Sequence, residues 1–258
     1  MQWRTRKHGL SKPLNALQIV SWIVFTTNLL YFSLFIAPMF GLIVGILVEL
    51  TYVSTGCVVI RYALAAMLIN PIDDIVIKER KAREDNVSFC KSDYEFFCSI
   101  CDCHVSDQAK HCGKCNKCIS GFDHHCYWLN NCIGDKNYKS FIKVLVSFLL
   151  QETIFVLAII IGCTVDDQWN TKVEKIVGVE EKVVMIITHS IMGLINLICL
   201  LGGMKLMLFH IYIKFKGIST FQYIKSNKDK NYKSRFKIRR DSIERNAEGP
   251  SEVEKSNG

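Results

Sequence analysis

Four long apolar runs constrain this chain more than any other feature. The first, roughly Leu14 to Ala37, carries no charged residue. It reaches the ~20 apolar residues that a helix needs to cross a bilayer. The second runs roughly from Gly41 to Ile69 and contains Glu49 and Arg61, each of which can sit near one interface. The third begins near Phe141 and ends near Cys163, with Glu152 inside; the fourth covers roughly Val183 to Phe209. Only a few residues around Pro38 separate the first two, so they read as a helical hairpin. Composition agrees: 50% of the residues are hydrophobic, yet 22% are charged, and the two kinds fall in separate blocks.

Orientation follows from Lys and Arg near the span ends. Arg4, Arg6, Lys7 and Lys12 precede the first run, and Lys78, Arg80, Lys81 and Arg83 follow the second. The segment after the fourth is rich in lysine and arginine, while the link between the third and fourth carries Asp166, Asp167, Glu174, Glu180 and Glu181 with three lysines. An even number of spans with both ends in the cytosol accounts for this. The first run lacks a small-residue cleavage pattern, so no cleavable leader is expected. The net charge of +8 sits beside the apolar runs, which points to anionic membrane lipid as a partner and away from nucleic acid.

The link between the second and third runs holds the chemistry. Eight of the twelve cysteines lie between Cys98 and Cys132, interleaved with histidines. The pattern is C-x2-C-x9-H-C-x2-C-x2-C-x4-D-H-H-C-x5-C. Paired Cys-x2-Cys turns present two thiolates to one ion, and zinc takes four sulfur or nitrogen ligands in a tetrahedron. So short a segment builds little core of its own, and bound metal would supply its folding free energy. Thiolate ligation needs a reducing compartment, which also places the segment in the cytosol. Two four-ligand sites require eight groups, whereas the segment offers eight cysteines and the four histidines His104, His111, His124 and His125. A spare cysteine beside a spare histidine is a nucleophile with its base, and Asp123-His124-His125-Cys126 contains that combination. Spacing alone leaves open which of the adjacent histidines binds metal. No internal repeat is expected.

This pattern, continued by Trp128, Asn131, Cys132, Gly134, Asn137 and Phe141, resembles the DHHC protein S-acyltransferases, or palmitoyltransferases. The resemblance is close over Cys98 to Phe141 and extends more loosely to four spans with the module between the second and third. It implies an all-α membrane protein: four transmembrane helices with a cytosolic two-zinc cysteine-rich module between helices 2 and 3. The implied division is 1–70 (cytosolic N-terminus and helices 1 and 2), 71–140 (catalytic zinc-binding module), 141–210 (helices 3 and 4 with a lumenal loop) and 211–258 (basic cytosolic tail, its end from about Asp241 disordered). One structural zinc ion would be held by Cys98, Cys101, His111 and Cys118, the other by Cys112, Cys115, His125 and Cys132. Cys126 would be the nucleophile, His124 its base and Asp123 the residue that orients His124. The acyl donor would be a fatty acyl-CoA such as palmitoyl-CoA. Acceptors would be proteins with membrane-proximal cysteines, and the location endoplasmic reticulum, Golgi or plasma membrane.

The sequence departs from the family pattern in several places. Where many members carry Lys-Pro-x-Arg, this chain has Val105, Ser106, Asp107 and Gln108, so recognition of CoA phosphates falls to Lys110, Lys114 and Lys117. Trp128 and Phe141 are the candidates for the mouth of an acyl-chain cavity. Tyr127 replaces the usual proline, Asn70-Pro71-Ile72 replaces Asp-Pro-Gly, and Ser219-Thr220-Phe221-Gln222 replaces Thr-Thr-x-Glu. Ser219 retains a hydroxyl that can reach the active site, while Gln222 loses a charge. Cys103 and His104 stand outside the pattern. A different class of function, a membrane scaffold recruiting proteins or anionic lipid through the zinc module and basic tail, fits these departures. A zinc hydrolase does not fit, because both ligand sets are closed.

Overall fold

The computed structural model describes residues 5–165 and 179–229. The acidic link from 166 to 178 and the tail from 230 onward, with its expected disorder, lie outside the described residues. Helix α1 (Ala16–Tyr31) starts at Asn15, whose side chain accepts the Leu17 N–H at 2.9 Å. That satisfies one of the donors a helix start leaves unpaired. The helix continues through a π-turn (Phe32–Ile36) and a 3-10 turn (Ala37–Phe40) containing Pro38. The chain then reverses at Gly41, whose φ of 73° suits a residue without Cβ. Helix α2 (Leu42–Leu68) runs back, completing the hairpin read from the sequence. Helix α3 (Asp74–Glu84) leads into the module, α4 (Tyr138–Val165) leaves it, and α5 (Val179–Phe215) is followed by a short helix over 220–229.

Four helical stretches among the described residues are long and apolar enough to span a membrane: Ala16–Phe40, Leu42–Leu68, Tyr138–Gly162 and Val183–Phe215. Leu42, Ile43, Val183 and Ile198 are among many large apolar side chains that face outward, a surface that calls for lipid. The fourth span extends past Phe209, the edge expected from the sequence. Its last turns carry His210 and Lys214 among apolar residues, so composition alone ended it too early.

The bundle interior is apolar where Phe32 stacks on Tyr52 (ring centroids 3.8 Å apart) beside Phe155 and Ile159. Polar rungs cross it. Asn28 donates to Asn196 at 2.8 Å, Thr55 donates to Gln151 at 2.9 Å, and the Tyr31 hydroxyl meets His189 at 3.1 Å. In hydrocarbon such pairs keep polar groups satisfied and fix which helix faces meet. Glu152 also points inward, 4% exposed, with one carboxylate oxygen lacking a protein partner.

The module is not helical, which amends the all-α expectation. It consists of three antiparallel hairpins with three-residue strands: β1 (Phe96–Cys98) with β2 (Cys103–Val105), β3 (Lys110–Cys112) with β4 (Lys117–Ile119), and β5 (His124–Cys126) with β6 (Asn131–Ile133). Strands this short carry no readable alternation. The three hairpins begin fourteen residues apart, so an internal repeat exists where none was expected. Each turn passes through one left-handed residue, Asp102 (φ 51°), Asn116 (φ 49°) or Asn130 (φ 50°). Aspartate and asparagine tolerate that conformation better than other side chains. Each first strand ends on a cysteine: Cys98, Cys112 and Cys126.

Two buried asparagines fasten the module to the membrane domain. Asn131 Nδ2 donates to the carbonyls of Ala66, Met67 and Ile69, at 2.9–3.1 Å. Asn137 Nδ2 donates to Ala66 and Cys132. The Ala66, Met67 and Ile69 carbonyls lie at the C-terminal end of α2, where no helical N–H is left to pair with them. The N-terminal stretch seals the same end: Gly9 N–H donates to Met67, and Arg6 N–H to Cys115. Replacing Asn131 with alanine removes its bonds to three carbonyls, of which Ala66 keeps Asn137 and Met67 keeps the Gly9 N–H. At ~0.5–1.5 kcal/mol per bond, about 2–4 kcal/mol of stability should be lost, read as a lower melting temperature in detergent.

Candidate active site and metal centres

The repeat explains how the metal ligands come together. The Cys-x2-Cys turn of the first hairpin, Cys98 and Cys101, faces His111 and Cys118, which are cross-strand partners in the second. The turn of the second, Cys112 and Cys115, faces His125 and Cys132, cross-strand partners in the third. Thus each cluster joins one hairpin's turn to the next hairpin's strands. Within each set the candidate ligand atoms all lie within 4.8 Å of one another. Cys101 and Cys115 lie 3.3 and 3.4 Å from the Nδ1 atoms of His111 and His125. The Cys118–Cys101 and Cys132–Cys115 sulfur separations are 3.7 and 3.3 Å. Tetrahedral ligands ~2.0–2.3 Å from zinc stand about 3.3–3.8 Å apart, so both sets fit such an ion. Four protein ligands per set leave no open coordination position.

The third hairpin breaks the rule at one place. Where its predecessors have Cys101 and Cys115, it has Leu129. Cys126 therefore occupies a position equivalent to the metal-cluster residues Cys98 and Cys112, but its turn offers no second thiol. That substitution frees Cys126 from both clusters. It is 7% exposed and packs against Met67, Leu129, Ile133 and Phe141.

His124 lies beside it. The His124 Nδ1 meets Asp123 Oδ2 at 2.7 Å. Burial of the ring disfavours its charged form, but the Asp123 carboxylate and Cys126 sulfur more than compensate, lifting its pKa to about 9. Burial would raise the Asp123 pKa; its hydrogen bonds with His124 and Thr220 outweigh that and hold it below the usual carboxylate value. With Nδ1 committed to Asp123, Nε2 is the nitrogen left for the thiol.

Sequence reasoning missed two residues here. Thr220 reaches Asp123 from beyond the fourth span, its N–H donating to Oδ1 and its hydroxyl to Oδ2, both at 2.8 Å. Ser219, whose hydroxyl was expected to reach the site, instead caps the short helix: Ser219 Oγ accepts from Gln222 N–H, and Gln222 Oε1 accepts from Ser219 N–H. This reciprocal pair is a capping box, a pattern legible in Ser-x-x-Gln. His210, near the end of α5, packs its ring 5.9 Å from that of His124. No sequence signal separated it from its apolar neighbours.

The remaining candidates divide. Phe141 is buried with its ring edge-on to His124 at 5.2 Å. Trp128 is half exposed on the third turn. Lys110 and Lys114 project to solvent. Lys117 does not: it is fully buried, donating to Asn70 Oδ1 at 2.6 Å and to the Lys7 carbonyl. Asn70, at the altered Asn-Pro-Ile, thus holds a structural lysine, and Lys117 is unavailable to a phosphate. Cys103 is buried, and His104 meets Glu79 at 3.1 Å, so both stabilise the join to α3.

A family model described as DHHC palmitoyltransferase matches residues 91–227. This chain belongs to that family. The match takes in all three hairpins, α4, α5 and most of the short helix that carries Thr220. Protein S-acyltransferase 18 of Arabidopsis thaliana is 40% identical over 169 residues, 64% of this chain and 32% of that protein. The matched region thus spans about a third of the curated relative.

Proposed function

We propose that the chain is a protein S-acyltransferase with Cys126 as its nucleophile. The observation that carries this reading is the hydrogen-bonded Asp123–His124 pair beside a buried cysteine that neither metal cluster uses. The family match and the name of the plant relative support it.

The chemistry is two thioester exchanges. Cys126 Sγ attacks the carbonyl carbon of a fatty acyl-CoA as His124 Nε2 takes the thiol proton. The tetrahedral intermediate collapses, the carbon–sulfur bond to CoA breaks, and the departing CoA thiolate takes that proton back. A substrate cysteine then loses its proton to His124 and attacks the acyl-Cys126 carbonyl. Cys126 leaves and is reprotonated. Asp123 keeps the proton-bearing Nδ1 in place and stabilises the imidazolium between steps. Zinc at the two clusters, four-coordinate and closed, would hold the hairpins in register and leave the acyl transfer to these side chains.

The acyl chain would lie among the spans, where each buried methylene contributes roughly 0.8 kcal/mol. Phe141 would border its carbonyl end, with Trp128 at the outer rim and Lys110 and Lys114 serving the CoA phosphates. The N-terminal stretch, the module and the end of α5 meet at one end of the bundle through the contacts of Gly9, Asn131 and Thr220. The thiol-rich candidate metal sites and the flanking lysines and arginines support a cytosolic side for that end.

The test is transfer from a labelled palmitoyl-CoA to a peptide bearing one cysteine beside a membrane anchor, with the protein in liposomes. Label on the peptide, released by neutral hydroxylamine, is expected. Label held by the peptide through an amide would contradict the assignment.

A further inference from the structure

Beyond the two four-ligand clusters, a third set of metal-binding atoms converges at the catalytic centre. Asp123, His124 and His210 each place one candidate ligand atom within 4.8 Å of the other two, and none of the three is solvent-exposed. Two imidazoles and a carboxylate suit zinc and other divalent transition metals. We propose that this trio is an inhibitory zinc site, distinct from the structural clusters, whose ion switches the proposed acyltransferase off. The inhibition rests on that reading; the binding site does not.

Three features support it. Each donor is already held by a partner outside the trio, as metal ligands are. Thr220 fixes the Asp123 carboxylate through both its N–H and its hydroxyl. The Tyr138 hydroxyl meets His210 Nδ1 at 3.2 Å, leaving Nε2 for an ion. Cys126 sits against His124 on the side away from Asp123. Second, Asp123 Oδ2 and His124 Nδ1 already face each other at 2.7 Å, so the pair need open by only roughly 0.6 Å to hold one ion at tetrahedral spacing. Third, Phe141 packs against both His124 (5.2 Å) and His210 (5.0 Å), holding the two rings on one side of the centre.

The consequence follows from the tautomer. An ion on His124 Nδ1 displaces the proton shared with Asp123, and the neutral ring then carries its proton on Nε2. That nitrogen can no longer accept a proton from Cys126, so thiolate formation stops although the thiol is untouched. Cys126 is not among the three ligands, which separates this site from simple capture of zinc by a reactive thiol.

The experiment equilibrates the purified full chain, holding its structural zinc, with buffers of stepped free zinc. Bound zinc is measured by elemental analysis and acyl-enzyme formation with labelled palmitoyl-CoA. Wild type and His210→Asn are compared in both measurements, each rate being referred to that protein's own rate at the lowest zinc, and Cys126→Ser is compared in zinc binding alone. The inference predicts a weaker, third equivalent on wild type, bound as acylation falls at least tenfold. Cys126→Ser should keep it, whereas His210→Asn should need at least tenfold more free zinc for both binding and inhibition. Retention of the two tight equivalents shows that each variant is folded. Loss of the third equivalent in Cys126→Ser, or its unchanged affinity in His210→Asn, would overturn the site. Wild type that binds the third equivalent but forms no acyl-enzyme at any zinc level would leave the site standing and sink the acyltransferase reading.

Discussion

Stripping metal from the purified protein should unfold the cysteine-rich module, leave the four spans intact and abolish acylation. Within itself the module has little else to hold it. Its strands are three residues long and paired only two at a time, and isolated two-stranded hairpins are marginal in water. Its interior is largely the cysteines themselves: Cys112, Cys115 and Cys132 around Ile119, and Cys103 and Cys118 beside Ile72 and Val76. A structural zinc ion contributes an apparent ~10–16 kcal/mol to small domains of this kind, far above the few kcal/mol that such a core can give. Because each cluster bridges two successive hairpins, losing one ion loosens both. The Cys112→Ala variant should therefore behave like the stripped protein: circular dichroism retains the helical signal, protease cuts between residues 85 and 135, and acyl-enzyme falls at least a hundredfold. A stripped module that stays protease-resistant would show that the metal is not what folds it.

The second large effect is expected at Asp123. An asparagine there keeps the shape but presents an amide N–H to His124 Nδ1, forcing the ring's proton onto Nε2. The base is then in the wrong tautomer, and acyl-enzyme formation should fall about 10³–10⁴-fold. Thr220→Val tests the same arrangement more gently. It removes the hydroxyl bond to Oδ2 and keeps the backbone bond to Oδ1, so a roughly tenfold loss is expected, about 1.4 kcal/mol. Single-turnover labelling separates these from losses in CoA binding: both variants should lower the acylation rate at saturating donor while leaving the half-saturating concentration nearly unchanged. Equal activity in Asp123→Asn and wild type would remove Asp123 from the mechanism.

The sequence disclosed the parts of this molecule whose physics is local. Spanning runs show in composition, and candidate metal ligands and a candidate base beside a thiol show in the spacing of cysteines and histidines, while the division into two ligand sets came from the family resemblance. What stayed hidden depends on distance or on absence. Thr220 acts on Asp123 across 97 residues and two membrane spans, and Ser219 looked the better hydroxyl until the helix start claimed it. His210 sits in an apolar run and gains meaning only because α5 brings it beside His124. The repeat escaped notice because its copies match only in pairs: the first two share Cys-x2-Cys, the last two share His-Cys and a later Cys-Ile, and the third has Leu129 where a thiol would complete the pattern. That missing thiol also leaves Cys126 outside both clusters. Lys117 reads as a surface charge in any linear scan, and only burial under the N-terminal stretch makes it structural.

The account stands or falls on acyl-enzyme formation at Cys126. Detergent-purified protein with its zinc in place is incubated with labelled palmitoyl-CoA, beside Cys126→Ser carrying the same zinc content. Label on wild type alone, released by neutral hydroxylamine and mapped to the peptide containing Cys126, is the predicted result. A folded, zinc-loaded wild type that takes no label, or a Cys126→Ser variant that takes as much, would contradict it.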